Sequence, residues 1–162
     1  MKNSNEIKIA QKLIRCKSIA PNADSALKVV EKECKALGFK CTKLRFSEKG
    51  YDSISNLYAE IGSGKPHFSF AGHVDVVPAE KKEWAVDPFA GRIKNNFLIG
   101  RGAVDMKSAI ACFLSSAKGF LNENKKFKGK ISMMITSDEE TYAWLGTRKI
   151  LQWLKKKNVK ID

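Results

Sequence analysis

The sequence lacks both a Cys-x-x-Cys pair and a long apolar run, and each absence excludes a class of protein. Without closely paired cysteines, a zinc finger or a thioredoxin-like redox site has no ligands at the required spacing. No apolar stretch approaches the ~20 residues needed to cross a bilayer. The polar opening segment, residues 1–6, lacks the apolar core of a signal peptide. We therefore predict a cytoplasmic protein with no membrane partner.

The four cysteines are scattered along the chain rather than clustered. Three of them fall among apolar or helical neighbours, where a free cysteine behaves as a small apolar side chain. We predict that these three are small core residues: Cys16, Cys34 and Cys112.

Acidic residues are in the minority, with 17 Asp and Glu against 30 Lys and Arg and a net charge of +13. Such an excess occurs in nucleic-acid-binding proteins and in enzymes with acidic substrates. Lys dominates here, whereas Arg is the residue that reads phosphates and bases with two hydrogen bonds. We interpret the charge as a solvated surface and predict no nucleic-acid partner. A non-catalytic basic binding module is the alternative from another functional class.

Helical and extended patterns alternate along the chain. Apolar residues recur at helical spacing in four segments, residues 7–14, 25–37, 107–121 and 146–156. Strand-like segments lie between them, at residues 40–46, 56–61, 68–78 and 130–136. The closing residues 159–162 look like the start of another strand. This alternation predicts an α/β fold, a three-layer sandwich with a largely parallel central sheet.

Polar side chains end two of the predicted strands and precede one of the predicted helices. His73 and Asp75 end one strand, residues 138–140 (Asp-Glu-Glu) follow another, and Asp105 precedes a helix. In open α/β sheets, ligands gather outside the carboxyl ends of the strands. A helix N-terminus also favours a nearby carboxylate. We therefore expect these side chains to form one site.

One histidine among several carboxylates suits Zn²⁺, Mn²⁺ or Co²⁺, and the absence of thiolates favours a catalytic site. His73 and Asp75 are two apart and share a strand face, so Asp75 can accept the second ring N–H of His73. One of the adjacent Glu139 and Glu140 can bind a metal while the other acts as general base. Asp105 can bridge two metals roughly 3.5–4 Å apart. The pattern predicts metal-assisted hydrolysis.

Each of these groups also has an ordinary structural explanation. Residues 138–140 fit a solvated turn or a helix N-cap followed by acidic residues, and Asp105 fits an N-cap. His73 alone fits a hydrogen-bonded core histidine. Their coincidence in one α/β chain favours the metal site. His67, which follows Pro66, is interpreted as a surface residue rather than a ligand.

Several ordered motifs resemble the signatures of the co-catalytic zinc metallopeptidase family. Residues 71–78 (AGHVDVVP) resemble its first signature. Residues 84–89 (WAVDPF) and 100–107 (GRGAVDMK) resemble its second signature region, and residues 135–140 (ITSDEE) resemble its third. The similarity extends over essentially the whole chain, including residues 13–22.

The resemblance implies a zinc-peptidase-like catalytic domain with two zinc ions per active site, for which Co²⁺ or Mn²⁺ can substitute. It implies that His73 and Glu140 are terminal ligands of separate ions and that Asp105 bridges both. Glu139 would be the general acid/base, and Asp75 would orient His73. The implied substrate is a small N-acyl amino acid.

Within the family, residues 100–103 and 135–140 look most like the succinyl-diaminopimelate desuccinylases. That similarity implies hydrolysis of N-succinyl-LL-2,6-diaminopimelate to succinate and LL-2,6-diaminopimelate, a step of lysine biosynthesis. An acetylornithine deacetylase or another metallopeptidase of the same family is the alternative. Residues 142–145 (YAWL) and Ser108 depart from the usual pattern, and the aromatic side chains would either shape the site mouth or pack as core.

Family members extend beyond a region of this length. The resemblance implies that residues 1–162 form the N-terminal part of the catalytic domain. It implies that the rest of that domain, with further metal ligands, and a lid and dimerisation domain belong to a longer protein. We therefore expect the chain alone to bind metal weakly and not to turn over substrate. A homodimer is expected for the full-length parent only.

Overall fold

The computed structural model describes residues 4–162, so residues 1–3 of the polar opening segment lie outside the described part of the chain. Its helices are α1 (Asn5–Arg15), α2 (Asp24–Ala36), α3 (Ser108–Glu123) and α4 (Thr147–Lys156). Its strands are β1 (Lys40–Phe46), β2 (Ile54–Ser63), β3 (His67–His73), β4 (Arg92–Lys94), β5 (Phe97–Ile99) and β6 (Gly129–Thr136). Each of the four helices lies where the periodicity predicts one.

The main sheet is mixed and has the strand order β1-β2-β6-β3. β3 and β6 pair in parallel, with His73 opposite Thr136, while β2 pairs antiparallel with both β1 and β6. β4 and β5 form a separate hairpin around Asn95 and Asn96, both of which have positive φ. The α/β class is confirmed. The parallel pairing lies between β3, which ends at His73, and β6, which residues 138–140 follow.

Alternating side chains of the sheet build a core on each of its faces. On β2, Leu57 and Ala59 belong to the larger core, which includes residues of α1, α2 and α3. Tyr58, between them, faces the smaller core, which includes Ile150 and Leu154 of α4. Because successive strand residues point to opposite faces, the sheet separates α1, α2 and α3 on one side from α4 on the other.

The cysteine prediction is right for one residue of three. Cys34 is fully buried on the apolar face of α2. Cys16 is only partly buried, and Cys112 is exposed. α3 turns Ile110, Ala111 and Leu114 towards the core, and the helical rotation places Cys112 on the opposite face.

The prediction that His67 lies on the surface was wrong. His67 is buried, and its Nδ1 lies 2.7 Å from the carbonyl oxygen of Lys160 while its Nε2 lies 2.8 Å from Ser132 Oγ. The segment after α4 therefore covers this histidine. That segment is not a strand here, although the Asp162 N–H donates to the carbonyl oxygen of His67 at 3.1 Å.

Within the described residues, no helix is both long and apolar enough to cross a membrane.

Candidate metal centre

The parallel pairing of β3 and β6 brings two of the polar segments to the same edge of the sheet. Because His73 lies opposite Thr136, both strands reach that edge together. The chain continues the contact beyond β3, where the Val74 N–H donates to the carbonyl oxygen of Thr136 at 3.0 Å. Asp75 and residues 138–140 therefore leave their strands side by side.

The irregular turn Ala103–Lys107, which leads into α3, carries Asp105 to the same place. Gly102 opens this turn with φ +81°, a backbone conformation that favours glycine. The Lys107 N–H donates to the carbonyl oxygen of Gly102 at 2.9 Å and closes the turn. As a result, Asp105 Oδ1 lies 2.9 Å from His73 Nε2.

His73, Asp105 and Glu140 each offer one ligand atom within 4.8 Å of the others. His73 is buried, Glu140 is half-buried and the Asp105 side chain is exposed, so the group lies at the surface with its histidine on the inner side. Glu139 Oε2 lies 3.7 Å from His73 Nε2, and its side chain is largely exposed. Two carboxylates, those of Asp105 and Glu139, therefore lie within 4 Å of His73 Nε2.

Asp75 is fully buried and anchors the loop that carries both glutamates. Its Oδ2 accepts the backbone N–H groups of Glu139 at 2.9 Å and of Glu140 at 2.8 Å. Its Oδ1 has no hydrogen-bond partner and lies 3.5 Å from His73 Nδ1. The nearer contact of that ring nitrogen is the carbonyl oxygen of Asp75, at 3.1 Å. The side chain thus contacts the glutamate loop more closely than the histidine it was predicted to orient.

The charges of the site shift the pKa values of two of its members. Burial by itself lowers the pKa of His73, but the carboxylates of Asp75 and Asp105 outweigh it and raise that pKa to about 9. Burial raises the pKa of Glu140, and repulsion by Asp105 and Glu139 adds to the effect. The site therefore concentrates negative charge that a cation would offset.

Asp138, for which a solvated turn or a helix N-cap was the ordinary structural explanation, is a buried structural residue. Its Oδ2 accepts the Leu145 N–H at 2.7 Å, and its Oδ1 accepts the Thr141 hydroxyl. Both contacts fold residues 138–145 into a closed loop.

Lys107 is a second residue whose importance the sequence did not reveal. Its side chain is fully buried, and its Nζ donates to the carbonyl oxygen of Cys16 at 2.9 Å. Burial lowers its pKa to about 8. The helical pattern of residues 107–121 put Lys107 at the start of a helix. That position gave no indication that its ammonium group points inward.

The aromatic residues that depart from the family pattern do not form core. Tyr142 is 77% exposed, and its ring packs edge-on against Tyr51 at 5.3 Å between centroids. The Trp144 indole N–H donates to Glu48 at 2.9 Å, and Arg148 lies over the indole ring. These rings lie on the outer side of the loop that follows Glu140.

Comparison with known sequences identifies relatives of the chain. Residues 69–162 match the sequence model of the family described as Peptidase family M20/M25/M40. The succinyl-diaminopimelate desuccinylase of Parvibaculum lavamentivorans is 52% identical over 155 residues, which cover 95% of this chain and 39% of that protein. The succinyl-diaminopimelate desuccinylase of Pelagibacter ubique is 47% identical over 163 residues, which cover 100% of this chain and 42% of that protein. The chain therefore spans about two fifths of the length of these relatives.

Solved structures share the fold. Human carnosine dipeptidase 1 superposes with a TM-score of 0.82 at 20% identity, over 94% of this chain and 35% of that one. The M20 family metallo-carboxypeptidase Sso-CP2 from Sulfolobus solfataricus superposes with a TM-score of 0.79 at 24% identity. The superposition covers 98% of this chain and 36% of that one. At these identities the likeness establishes the architecture alone.

Proposed function

The chain belongs to peptidase family M20/M25/M40, and from that premise we propose that it supplies part of the catalytic domain of a zinc-dependent amide hydrolase. The proposed reaction is hydrolysis of N-succinyl-LL-2,6-diaminopimelate to succinate and LL-2,6-diaminopimelate. The observation that carries the proposal is the convergence of His73, Asp105 and Glu140 within 4.8 Å. The desuccinylase names of relatives at 52% and 47% identity support the substrate.

The donor atoms of the site fit zinc. One imidazole nitrogen and several carboxylate oxygens, without a thiolate, make up a set typical of catalytic zinc sites. Asp75 Oδ1 is buried without a hydrogen-bond partner beside the ligand histidine. It is available to accept the Nδ1 proton once His73 binds metal through Nε2.

We assign the roles of the site residues as follows. His73 and Glu140 would each hold a separate zinc ion, Asp105 would bridge the two, and Co²⁺ or Mn²⁺ would substitute for zinc. When bound, the ions supply Lewis-acid polarisation of the amide carbonyl and lower the pKa of a water molecule. A longer protein would contribute the remaining ligands.

The exposure of Glu139 and its reach towards His73 support its proposed role as the general acid/base. Its neighbour Glu140 is half-buried, whereas the Glu139 side chain is 54% exposed and reaches to 3.7 Å from His73 Nε2. In the proposed reaction Glu139 accepts a proton from the attacking water and returns it to the nitrogen of the leaving amine. Asp75 fixes the backbone of both glutamates, so that adjacent carboxylates keep separate roles.

The test uses a longer protein that contains this chain. We expect it to hydrolyse the succinylated diaminopimelate in preference to N-acetylornithine. Glu139→Gln should lower kcat by about 10²–10⁴-fold, the usual contribution of general acid/base catalysis, without changing zinc content. Glu83→Gln, which alters an exposed carboxylate elsewhere, should behave as the parent. Equal rates for Glu139→Gln and the parent would contradict the proposal, and preference for the acetylated substrate would favour a deacetylase.

The other proposed properties depend on the same longer protein. Dimerisation belongs to the full-length parent, and the chain alone should bind zinc weakly and hydrolyse nothing. Detectable desuccinylase activity of the purified chain would contradict that expectation.

A further inference from the structure

Lys107 is a buried cation beside the candidate metal centre. Its side chain has no exposed surface, and its Nζ donates to the carbonyl oxygen of Cys16 at 2.9 Å. Within residues 4–162, no carboxylate oxygen lies within 4.0 Å of this nitrogen. A buried charge needs hydrogen bonds to compensate its loss of water. The contact with Cys16 is therefore a strong tether for the side chain.

The tether joins the turn that carries Asp105 to the end of α1. Asp105 precedes Lys107 by two residues, and the Lys107 N–H closes the turn onto Gly102 at 2.9 Å. The other end of the same residue reaches Cys16, which directly follows α1. One side chain thus connects the Asp105 turn to a helix in the main core.

The segment after α1 also contacts the residues on either side of Asp75. The Ser18 hydroxyl donates to the carbonyl oxygen of Val74 at 2.6 Å, and the Val76 N–H donates to the carbonyl oxygen of Ser18 at 3.0 Å. Val74 and Val76 flank Asp75. Residues 16–18 therefore contact two of the three chain segments that supply site residues, the Asp105 turn and the segment with His73 and Asp75.

The two segments also meet directly, at Gly102. A Cβ at this position would lie 2.7 Å from Val76 Cγ1 and 3.0 Å from Lys107 Cδ. The backbone at Gly102 is thus packed between the strand exit that carries Asp75 and the side chain of Lys107. Such close packing transmits displacement of one segment to the other.

We propose that Lys107 is a positioning residue that, through Cys16, fixes the Asp105 turn against the segment carrying His73 and Asp75. Its effect on metal affinity rests on the function proposed above, whereas its effect on the turn does not. Without the bond to Cys16, the turn would move relative to His73, and the spacing of the ligand atoms would no longer be fixed.

Amide hydrogen exchange of the metal-free chain tests the tether itself. Lys107→Met should accelerate exchange at residues 107 and 76 by about 10-fold or more, because both amides bond to segments that the tether holds. The amide of Met133 in β6 should not change. Lys130→Met is the matched control, since Lys130 bonds to Glu60 at the other end of β6. Unchanged exchange at both site amides would overturn the proposal.

Cobalt binding tests the consequence for the site. Lys107→Met should weaken Co²⁺ binding by roughly 10-fold, as loss of an outer contact of a metal site does, and alter the visible absorption spectrum. Lys107→Arg should restore part of both, and Lys130→Met should change neither. A folded Lys107→Met chain with parental affinity and spectrum would overturn the proposal.

Two further outcomes are decisive. If Lys107→Met does not fold, Ser18→Ala takes its place, because it loosens the same segment at Val74. Parental exchange at residue 76 in a folded Ser18→Ala chain would overturn the proposal. If the parent chain takes up no cobalt, the proposed function loses its support while the exchange experiment still decides the role of Lys107.

Discussion

Replacing Asp75 by alanine should destabilise the chain strongly even without metal. Asp75 is fully buried, and its Oδ2 accepts two backbone N–H groups at 2.8 and 2.9 Å. A hydrogen bond to a charged group contributes about 1.5–3 kcal/mol, and the substitution leaves both donors in a buried loop without that partner. Removal of a buried carboxylate offsets part of this loss. We expect the free energy of unfolding to fall by about 3 kcal/mol.

Urea unfolding followed by circular dichroism, with chelator present, measures this change. With a slope of about 2 kcal/mol per M, the midpoint should fall by roughly 1.5 M. Asp75→Asn keeps one acceptor oxygen and should lower the midpoint less. Asp52→Ala, at an exposed carboxylate, should leave the midpoint in place. A shift below about 0.5 M for Asp75→Ala would refute the anchoring role, since it corresponds to about 1 kcal/mol.

The remaining predictions concern packing around the sheet. Gly102→Ala should lower stability by about 1–3 kcal/mol, because φ is +81° and the added Cβ would lie 2.7 Å from Val76 Cγ1. Gly50→Ala, with φ +88° but open space, should cost less, and equal melting temperatures of the two variants would contradict the steric explanation. Ser132→Ala should lower the free energy of unfolding by about 1–3 kcal/mol, and with it the melting temperature, because Ser132 Oγ is the partner of His67 Nε2. An unchanged melting temperature would show that this buried contact contributes nothing.

Periodicity predicted the elements of the fold because their side-chain patterns are local. β1 has the predicted bounds, and β6 begins only one residue before the predicted start, at Gly129, since each is a short run between turns. The predicted strand at 68–78 ends earlier, at His73, because the chain leaves the sheet there to form the site. The sheet order required long-range pairings, which a single sequence pattern does not contain.

The candidate site could be predicted as far as the residue types reveal chemistry. His73, Asp105 and Glu140 were singled out because they follow strands or precede a helix, and the fold brings them within 4.8 Å of one another. The burial of Lys107 and Asp138 was not foreseeable, because it depends on which backbone groups lie opposite them. His67 was misassigned for the same reason, as its partner Lys160 is 93 residues away.

Zinc titration of the purified chain by calorimetry is the most direct test of the metal centre. We predict weak binding by the parent and a loss in His73→Ala and Asp105→Ala greater than the roughly 10–100-fold expected for an outer-shell residue. His67→Gln removes the other of the two histidines, outside the site, and should bind as the parent. Binding that is equally strong in the parent, His73→Ala and Asp105→Ala would contradict the assignment.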